Sequence, residues 1–124
     1  MLCKETVEKR TLDLIKLLMK DDIFMSFNLV GGTALALKLG HRKSIDIDLF
    51  TTSDFNSTDI SKHLYSAYQA KRIQTIVNGV FCFVKGIKLD LLAHKYPLLE
   101  NISTIDGVRM ISNRYWINEI KCYL

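Results

Sequence analysis

The sequence is poor in proline and cysteine and has no long apolar run. It contains one proline and three widely spaced cysteines, Cys3, Cys82 and Cys122, none of them in a CxxC pair. An odd number of isolated cysteines excludes a disulfide framework and offers no zinc-binding pattern. No apolar stretch approaches the ~18 residues of a membrane-spanning helix, and the charged N-terminus, MLCKETVEKR, lacks the apolar core of a signal peptide. We therefore expect a cytoplasmic protein that does not enter a membrane.

The composition is that of an ordinary folded domain. Of the 124 residues, 48% are hydrophobic and 24% are charged, which is enough apolar material for a real core in a single domain spanning residues 1–124. Lys and Arg number 17 against 13 Asp and Glu, giving a net charge of +4. This mild basic excess fits an anionic partner such as RNA or a nucleotide, and it fits a solvated basic surface equally well.

Apolar periodicity and turn residues predict an α/β fold, with a small mixed β-sheet flanked by helices. Asn78-Gly79 and Lys85-Gly86 are dipeptides that favour tight hairpin turns. The predicted elements are helix 5–20, strand 27–30, helix 33–39, strand 45–50, helix 58–70, strands 73–77, 80–84 and 87–92, strand 108–111 and helix 114–123.

Two aspartates, Asp46 and Asp48, alternate with apolar residues in the run Ile45–Phe50. Because side chains alternate along a strand, both carboxylates are predicted to point to one face. Two adjacent carboxylates repel each other, and a divalent cation or a basic partner relieves that repulsion. The alternative is a solvent-facing strand whose aspartates meet only water.

A third aspartate, Asp90, lies in the later strand run Ile87–Leu92. If that strand lies beside Ile45–Phe50, Asp90 completes a cluster of three carboxylates. Such a cluster can hold Mg²⁺ or Mn²⁺ at Asp46 and Asp48, while Asp90 binds a second ion or takes a proton from an attacking hydroxyl. The glycine pair Gly31-Gly32, at the start of a predicted helix, can cradle phosphate with its backbone amides.

These motifs occur together in the order of a known group. The run GGTALALKLGHRKSIDIDLF, followed by the strand with Asp90, resembles the polymerase-β-type nucleotidyltransferases. It is more closely similar to AbiEii-like nucleotidyltransferases, the toxins of type IV toxin–antitoxin and abortive-infection systems. The resemblance implies metal-dependent transfer of a nucleoside monophosphate from an NTP to an acceptor hydroxyl. The implied acceptor is RNA, most plausibly a tRNA 3′ end, and the implied protein partner is a cognate antitoxin.

The resemblance also implies a role for each matched residue. The implied metal ligands and catalytic acids are Asp46, Asp48 and Asp90, and the implied nucleotide-binding residues are Gly31, Gly32, Thr33, Arg42, Ser44 and Lys121. Arg42 and Ser44 would lie near phosphate or brace the aspartate strand. Lys121 matches by position alone, and a solvated helix lysine is the competing interpretation.

One departure from the family leaves alternatives open. AbiEii-like proteins are normally more than twice as long, with a helical C-terminal part that is absent from this sequence. The chain is then either an active nucleotidyltransferase, an inactive remnant that binds a nucleotide or a partner, or a structural domain without a ligand. The terminal helix carries Tyr115, Trp116 and Tyr123, which we expect to pack against the core or a second copy of the chain.

Overall fold

The structure, a computed structural model, describes residues 9–30, 46–93, 102–105 and 107–111. This part of the chain holds two α-helices, a short 3₁₀ helix over Asp22–Phe24 and seven strands. In chain order they are α1 (Lys9–Lys20), β1 (Asn28–Val30), β2 (Ile47–Thr51), α2 (Ser57–Tyr68), β3 (Lys71–Ile76), β4 (Gly79–Val84), β5 (Ile87–Ala93), β6 (Ile102–Ile105) and β7 (Val108–Ile111).

The seven strands form one mixed sheet in the order β3-β4-β5-β2-β1-β7-β6. β2 pairs with β5, and β1 with β7, in parallel, whereas the remaining neighbours are antiparallel. Both hairpin connections on the β3–β5 side use left-handed backbone at the predicted turns, with φ of 57° at Asn78 and 53° at Lys85. The predicted fold class, an α/β fold with a mixed sheet and flanking helices, is confirmed.

The core lies on one face of this sheet, where the apolar residues of β2, β4 and β5 alternate with outward-facing ones. The apolar stripes of α1 and α2 cover that face, so each helix buries one side and exposes the other. The fully buried large side chains are Ile15, Leu18, Phe24, Phe27, Leu29, Ile47, Leu49, Leu64, Ile87, Leu89 and Leu91. Neither helix in the described part of the chain has the length and apolarity needed to cross a bilayer.

Most predicted elements occur within two residues of their predicted bounds, as do β3, predicted at 73–77, and α2, predicted at 58–70. Three further differences concern single residues or a whole strand. The acidic strand starts at Ile47 instead of residue 45 and continues through Thr51, so Asp46 precedes it. Gly79 begins β4 instead of completing the hairpin turn. β6 had no counterpart in the prediction, because its four residues carry no clear alternation. The predicted helices 33–39 and 114–123, with Tyr115, Trp116 and Tyr123, lie outside the described residues, as does the predicted start of α1.

Arg109 of β7 joins the last strand to the first helix. Its guanidinium donates hydrogen bonds to three backbone carbonyls, those of Met19 (3.1 Å), Phe24 (2.9 Å) and Phe27 (3.2 Å). The Met19 and Phe24 carbonyls belong to the end of α1 and to the 3₁₀ helix that follows it, and the Phe27 carbonyl belongs to the residue before β1. The end of a helix leaves acceptors without intrahelical partners. One planar side chain therefore satisfies several acceptors at once and fixes the connection that leads into β1.

We expect Arg109→Ala to lower the free energy of unfolding by about 3 kcal/mol, because half-buried carbonyls lose charge-assisted donors. Urea unfolding monitored by circular dichroism measures the change. Arg109→Lys retains the charge without the planar fork, so it should lie between wild type and the alanine variant. Equal stability of all three proteins would contradict this role.

Candidate active site

The pairing of β2 with β5 brings two of the predicted catalytic residues together. Asp48 lies directly opposite Asp90 in the parallel register, and both side chains are on the sheet face away from the core. The same register places Ile47 opposite Leu89 and Leu49 opposite Leu91 on the buried face. Slipping the pairing by one residue would drive the carboxylates into the core, so apolar burial fixes the acidic pair.

The predicted phosphate-binding turn, Gly31-Gly32, comes immediately after a residue that pairs with Asp48. Val30, which precedes Gly31 in the chain, is the antiparallel partner of Asp48. The remaining nucleotide-binding predictions, Gly31, Gly32, Thr33, Arg42, Ser44 and Lys121, lie outside the described residues and stay predictions.

Asp46 is exposed and lies just before β2. Its charge nevertheless acts on both members of the pair, since it raises the pKa of Asp48 and of Asp90. The three aspartates therefore form one electrostatic group, although only Asp48 and Asp90 belong to paired strands.

Burial and mutual repulsion oppose full ionisation of the acidic pair. Burial, followed by the charges of Asp90 and Asp46, raises the pKa of Asp48 to about 6. The pKa of Asp90 is also raised, first by burial and then by Asp46, against the opposing effect of Lys88. At neutral pH the site therefore holds negative charge that the described residues only partly compensate.

Lys88 is the one cation that the described residues bring into contact with the pair. Its Nζ lies 3.7 Å from Asp90 Oδ2, and 49% of its side chain is exposed. The second oxygen of Asp90, Oδ1, is buried and has no hydrogen-bond partner among the described residues. The spacing of Lys88 and Asp90 in the sequence predicts this contact, because residues two apart on a strand share a face.

A divalent cation suits the chemistry of these oxygens. Mg²⁺ prefers carboxylate oxygen, and it commonly binds through one or two carboxylates plus substrate phosphates and water. The buried, unpartnered Asp90 Oδ1 and the uncompensated charge at Asp48 fit such an ion. Within residues 9–30, 46–93, 102–105 and 107–111, no group of three or more His, Cys, Asp and Glu side chains, the three aspartates included, is placed to hold a metal ion by itself.

Two other titratable residues, His63 and Cys82, lie away from the acidic pair, on the side of the sheet that bears the core. His63 Nε2 lies 2.6 Å from Asp21 Oδ2, and the same oxygen accepts a hydrogen bond from Tyr68 at 2.7 Å. This cluster joins the 3₁₀ turn to α2 on the side of the sheet that bears the helices. Burial raises the pKa of the Cys82 thiol to about 11, so this cysteine is a weak nucleophile.

Comparison with known proteins identifies the sequence pattern. Residues 14–90 match the family model described as Nucleotidyl transferase AbiEii toxin, Type IV TA system. This range includes both glycines of the predicted phosphate turn and the three aspartates. An uncharacterized protein of Aquifex aeolicus, aq_aa25, is 36% identical over 77 residues, which cover 60% of this chain and 37% of that protein. The chain thus spans little more than a third of that relative.

Solved structures share the fold at low sequence identity. A Thermotoga maritima protein assigned as a nucleotidyltransferase superposes with a TM-score of 0.60 at 16% identity, covering 92% of this chain and 83% of that one. The Thermotoga maritima CCA-adding enzyme complexed with tRNA gives 0.60 at 23% identity, covering 90% of this chain and 28% of the enzyme. These likenesses show a polymerase-β-like nucleotidyltransferase fold.

The raised pKa of Asp48 has a consequence for stability without metal. Because the pKa of about 6 lies above the ordinary 3.8, the folded protein holds this proton more tightly than the unfolded chain does. Between about pH 5 and about pH 7.5 the free energy of unfolding should therefore fall by roughly 1.4 kcal/mol, because about one pH unit of that interval lies below the raised pKa. Asp48→Asn should remove most of this fall and be more stable than wild type at neutral pH.

Urea unfolding in EDTA at about pH 5 and about pH 7.5 measures this difference. Asp13→Asn, an exposed carboxylate of α1, serves as the control and should change stability by less than about 0.5 kcal/mol. An identical pH dependence in wild type and Asp48→Asn would contradict the prediction.

Proposed function

Because this chain belongs to the AbiEii nucleotidyltransferase family, we propose that it transfers a nucleoside monophosphate from an NTP to an acceptor hydroxyl, releasing pyrophosphate. The observation that carries this proposal is the register that sets Asp48 opposite Asp90 on the sheet face away from the core. Phosphoryl and nucleotidyl transfer require mainly positioning and charge neutralisation, which is what this cluster offers.

Each residue of the acidic cluster has its own proposed role. Asp46 and Asp48 would hold Mg²⁺ or Mn²⁺, which neutralises the triphosphate when bound. Asp90 accepts the proton of the attacking hydroxyl on a carboxylate oxygen, and its raised pKa favours that transfer. The hydroxyl oxygen forms a bond to the α-phosphorus, and the bond between that phosphorus and the leaving pyrophosphate breaks. Lys88 keeps Asp90 in place through its contact with Oδ2.

The acceptor we propose is RNA, with a tRNA 3′ end as the first candidate. A CCA-adding enzyme complexed with tRNA and a tRNA-processing enzyme both share this fold, with TM-scores of 0.60. The net charge of +4 favours an anionic partner. Gly31, Gly32, Thr33, Arg42, Ser44 and Lys121 are proposed to bind the NTP.

In the cell we propose that this activity acts as a toxin-like component of a toxin–antitoxin or phage-defence system, restrained by an antitoxin. The description of the matching family supports this role. Induced expression should then slow growth for the wild-type chain and not for Asp48→Asn. Equal growth of the two strains, at equal protein levels, would argue against toxicity.

The first test is transfer of label from each α-labelled NTP to total tRNA in the presence of Mg²⁺. Asp48→Asn and Asp90→Asn should each lower the rate at least about a hundredfold, because each removes a charge that the reaction uses. Asp13→Asn, which alters a distant surface carboxylate, should retain the wild-type rate.

Removing the divalent cation with EDTA should abolish transfer, and Mg²⁺ or Mn²⁺ should restore it. NTP binding without transfer to RNA, protein or small-molecule hydroxyls would instead favour an inactive nucleotide-binding remnant. Equal rates in wild type and both site variants would remove the acidic pair from the mechanism.

A further inference from the structure

A basic and aromatic strip lies beside the acidic pair on the same face of the sheet. It consists of Lys71 and Arg72 from β3, Phe83 from β4 and Lys88 from β5. Lys71 is the cross-strand partner of Phe83, and Phe83 is the partner of Lys88. Lys88 contacts Asp90, so this cross-strand row is the immediate neighbour of the row that holds the acidic pair. Along a strand the two rows are about 7 Å apart.

Arg72 reaches this face only because β3 is irregular. The pairing of β3 with β4 gains one residue between Lys71 and Gln74, which is a β-bulge. At the bulge Arg72 adopts a left-handed backbone, with φ of 53°, a conformation that costs free energy for a residue with a Cβ. Its guanidinium then lies 5.8 Å from the centre of the Phe83 ring.

Strain at a bulge next to an active site commonly serves to re-aim a side chain. Protection of a sheet edge would explain exposed Lys71, since edge strands often carry lysine to discourage aggregation. Edge protection does not explain Arg72, because any exposed charge would serve and the left-handed backbone would be unnecessary. The arrangement combines a flat aromatic ring with three exposed cations, Lys71, Arg72 and Lys88.

Resting on the proposed nucleotidyltransferase function, we propose that this strip binds the single-stranded end of the nucleic-acid acceptor. Lys71, Arg72 and Lys88 contact backbone phosphates. The Arg72 guanidinium, which lies over the Phe83 ring in the free protein, moves to a phosphate as the ring receives a base. Phe81, which is the cross-strand partner of Asp90, continues the aromatic surface toward the acidic pair. Proteins that bind single strands without sequence preference use this combination of cationic groove and aromatic platform.

The test measures binding alone, so that it does not depend on catalysis. A fluorescent single-stranded RNA oligonucleotide is titrated with the whole chain in EDTA and without NTP, at several salt concentrations. For wild type, the logarithm of the association constant should fall against the logarithm of salt with a slope of about −2, since each phosphate contact contributes about −0.7.

Arg72→Gly removes the cation while suiting the left-handed backbone, so this variant should fold at least as well as wild type. It should bind RNA more weakly, with the slope reduced in magnitude by about 0.7. Arg72→Lys should restore the slope. Phe83→Leu keeps an apolar side chain, so it should keep the slope and lose affinity about fivefold or more. Lys62→Ala, on the exposed side of α2, is the matched control and should bind as wild type does.

Unchanged RNA affinity and slope in Arg72→Gly would overturn the proposal, as would failure of wild type to bind RNA. A loss confined to NTP binding in Arg72→Gly would also overturn it, because the strip would then serve the nucleotide. If wild type binds RNA as expected but transfers no nucleotide, RNA binding by the strip is supported and the proposed enzymatic function is contradicted. If transfer to RNA proceeds equally in wild type and Arg72→Gly, the enzymatic function is supported and RNA binding by the strip is contradicted.

Discussion

The parallel pairing of β2 with β5 is the interaction on which the rest of the site depends. The core side of this pairing consists of apolar residues with almost no exposure, and the opposite side sets Asp48 against Asp90. Burial of those apolar side chains stabilises the sheet, and this gain offsets the repulsion between the carboxylates. Burial, followed by the charges of Asp90 and Asp46, raises the pKa of Asp48, so the repulsion persists in the folded protein. The site is thus held in a charged state that a cation can relieve.

The sheet face away from the core carries two separate kinds of charge among the described residues. Lys88 lies between the carboxylates and the cations of β3, and it contacts Asp90 directly. A polyanionic acceptor would be repelled by the carboxylates and attracted by the cations. The order of the strands therefore makes the charge change across this face, from the acidic pair on β2 and β5 to the basic edge at β3.

Much of the fold and of the site could be predicted from the sequence, for identifiable reasons. Strict alternation in β2 and β5 predicted which side chains share a face, and the structure confirms that Asp48 and Asp90 do. Their adjacency was a conditional prediction, because alternation within a strand says nothing about which strands pair. The sequence could not predict which face Arg72 would reach, because the bulge that places it depends on the register between two strands. Strand β6 was missed because its four residues, Ile-Ser-Thr-Ile, do not alternate between apolar and polar side chains.

The acidic pair joins strands that are distant in the chain. β3, β4 and β5 are connected by short hairpins, whereas β2 meets β5 only after α2 and that whole meander have been made. Pairings between distant segments carry a larger loop-closure cost and tend to form late in folding. During synthesis, a nascent chain that has not yet released β5 from the ribosome lacks Asp90 beside Asp48. The growing polypeptide therefore lacks the acidic pair until that strand emerges.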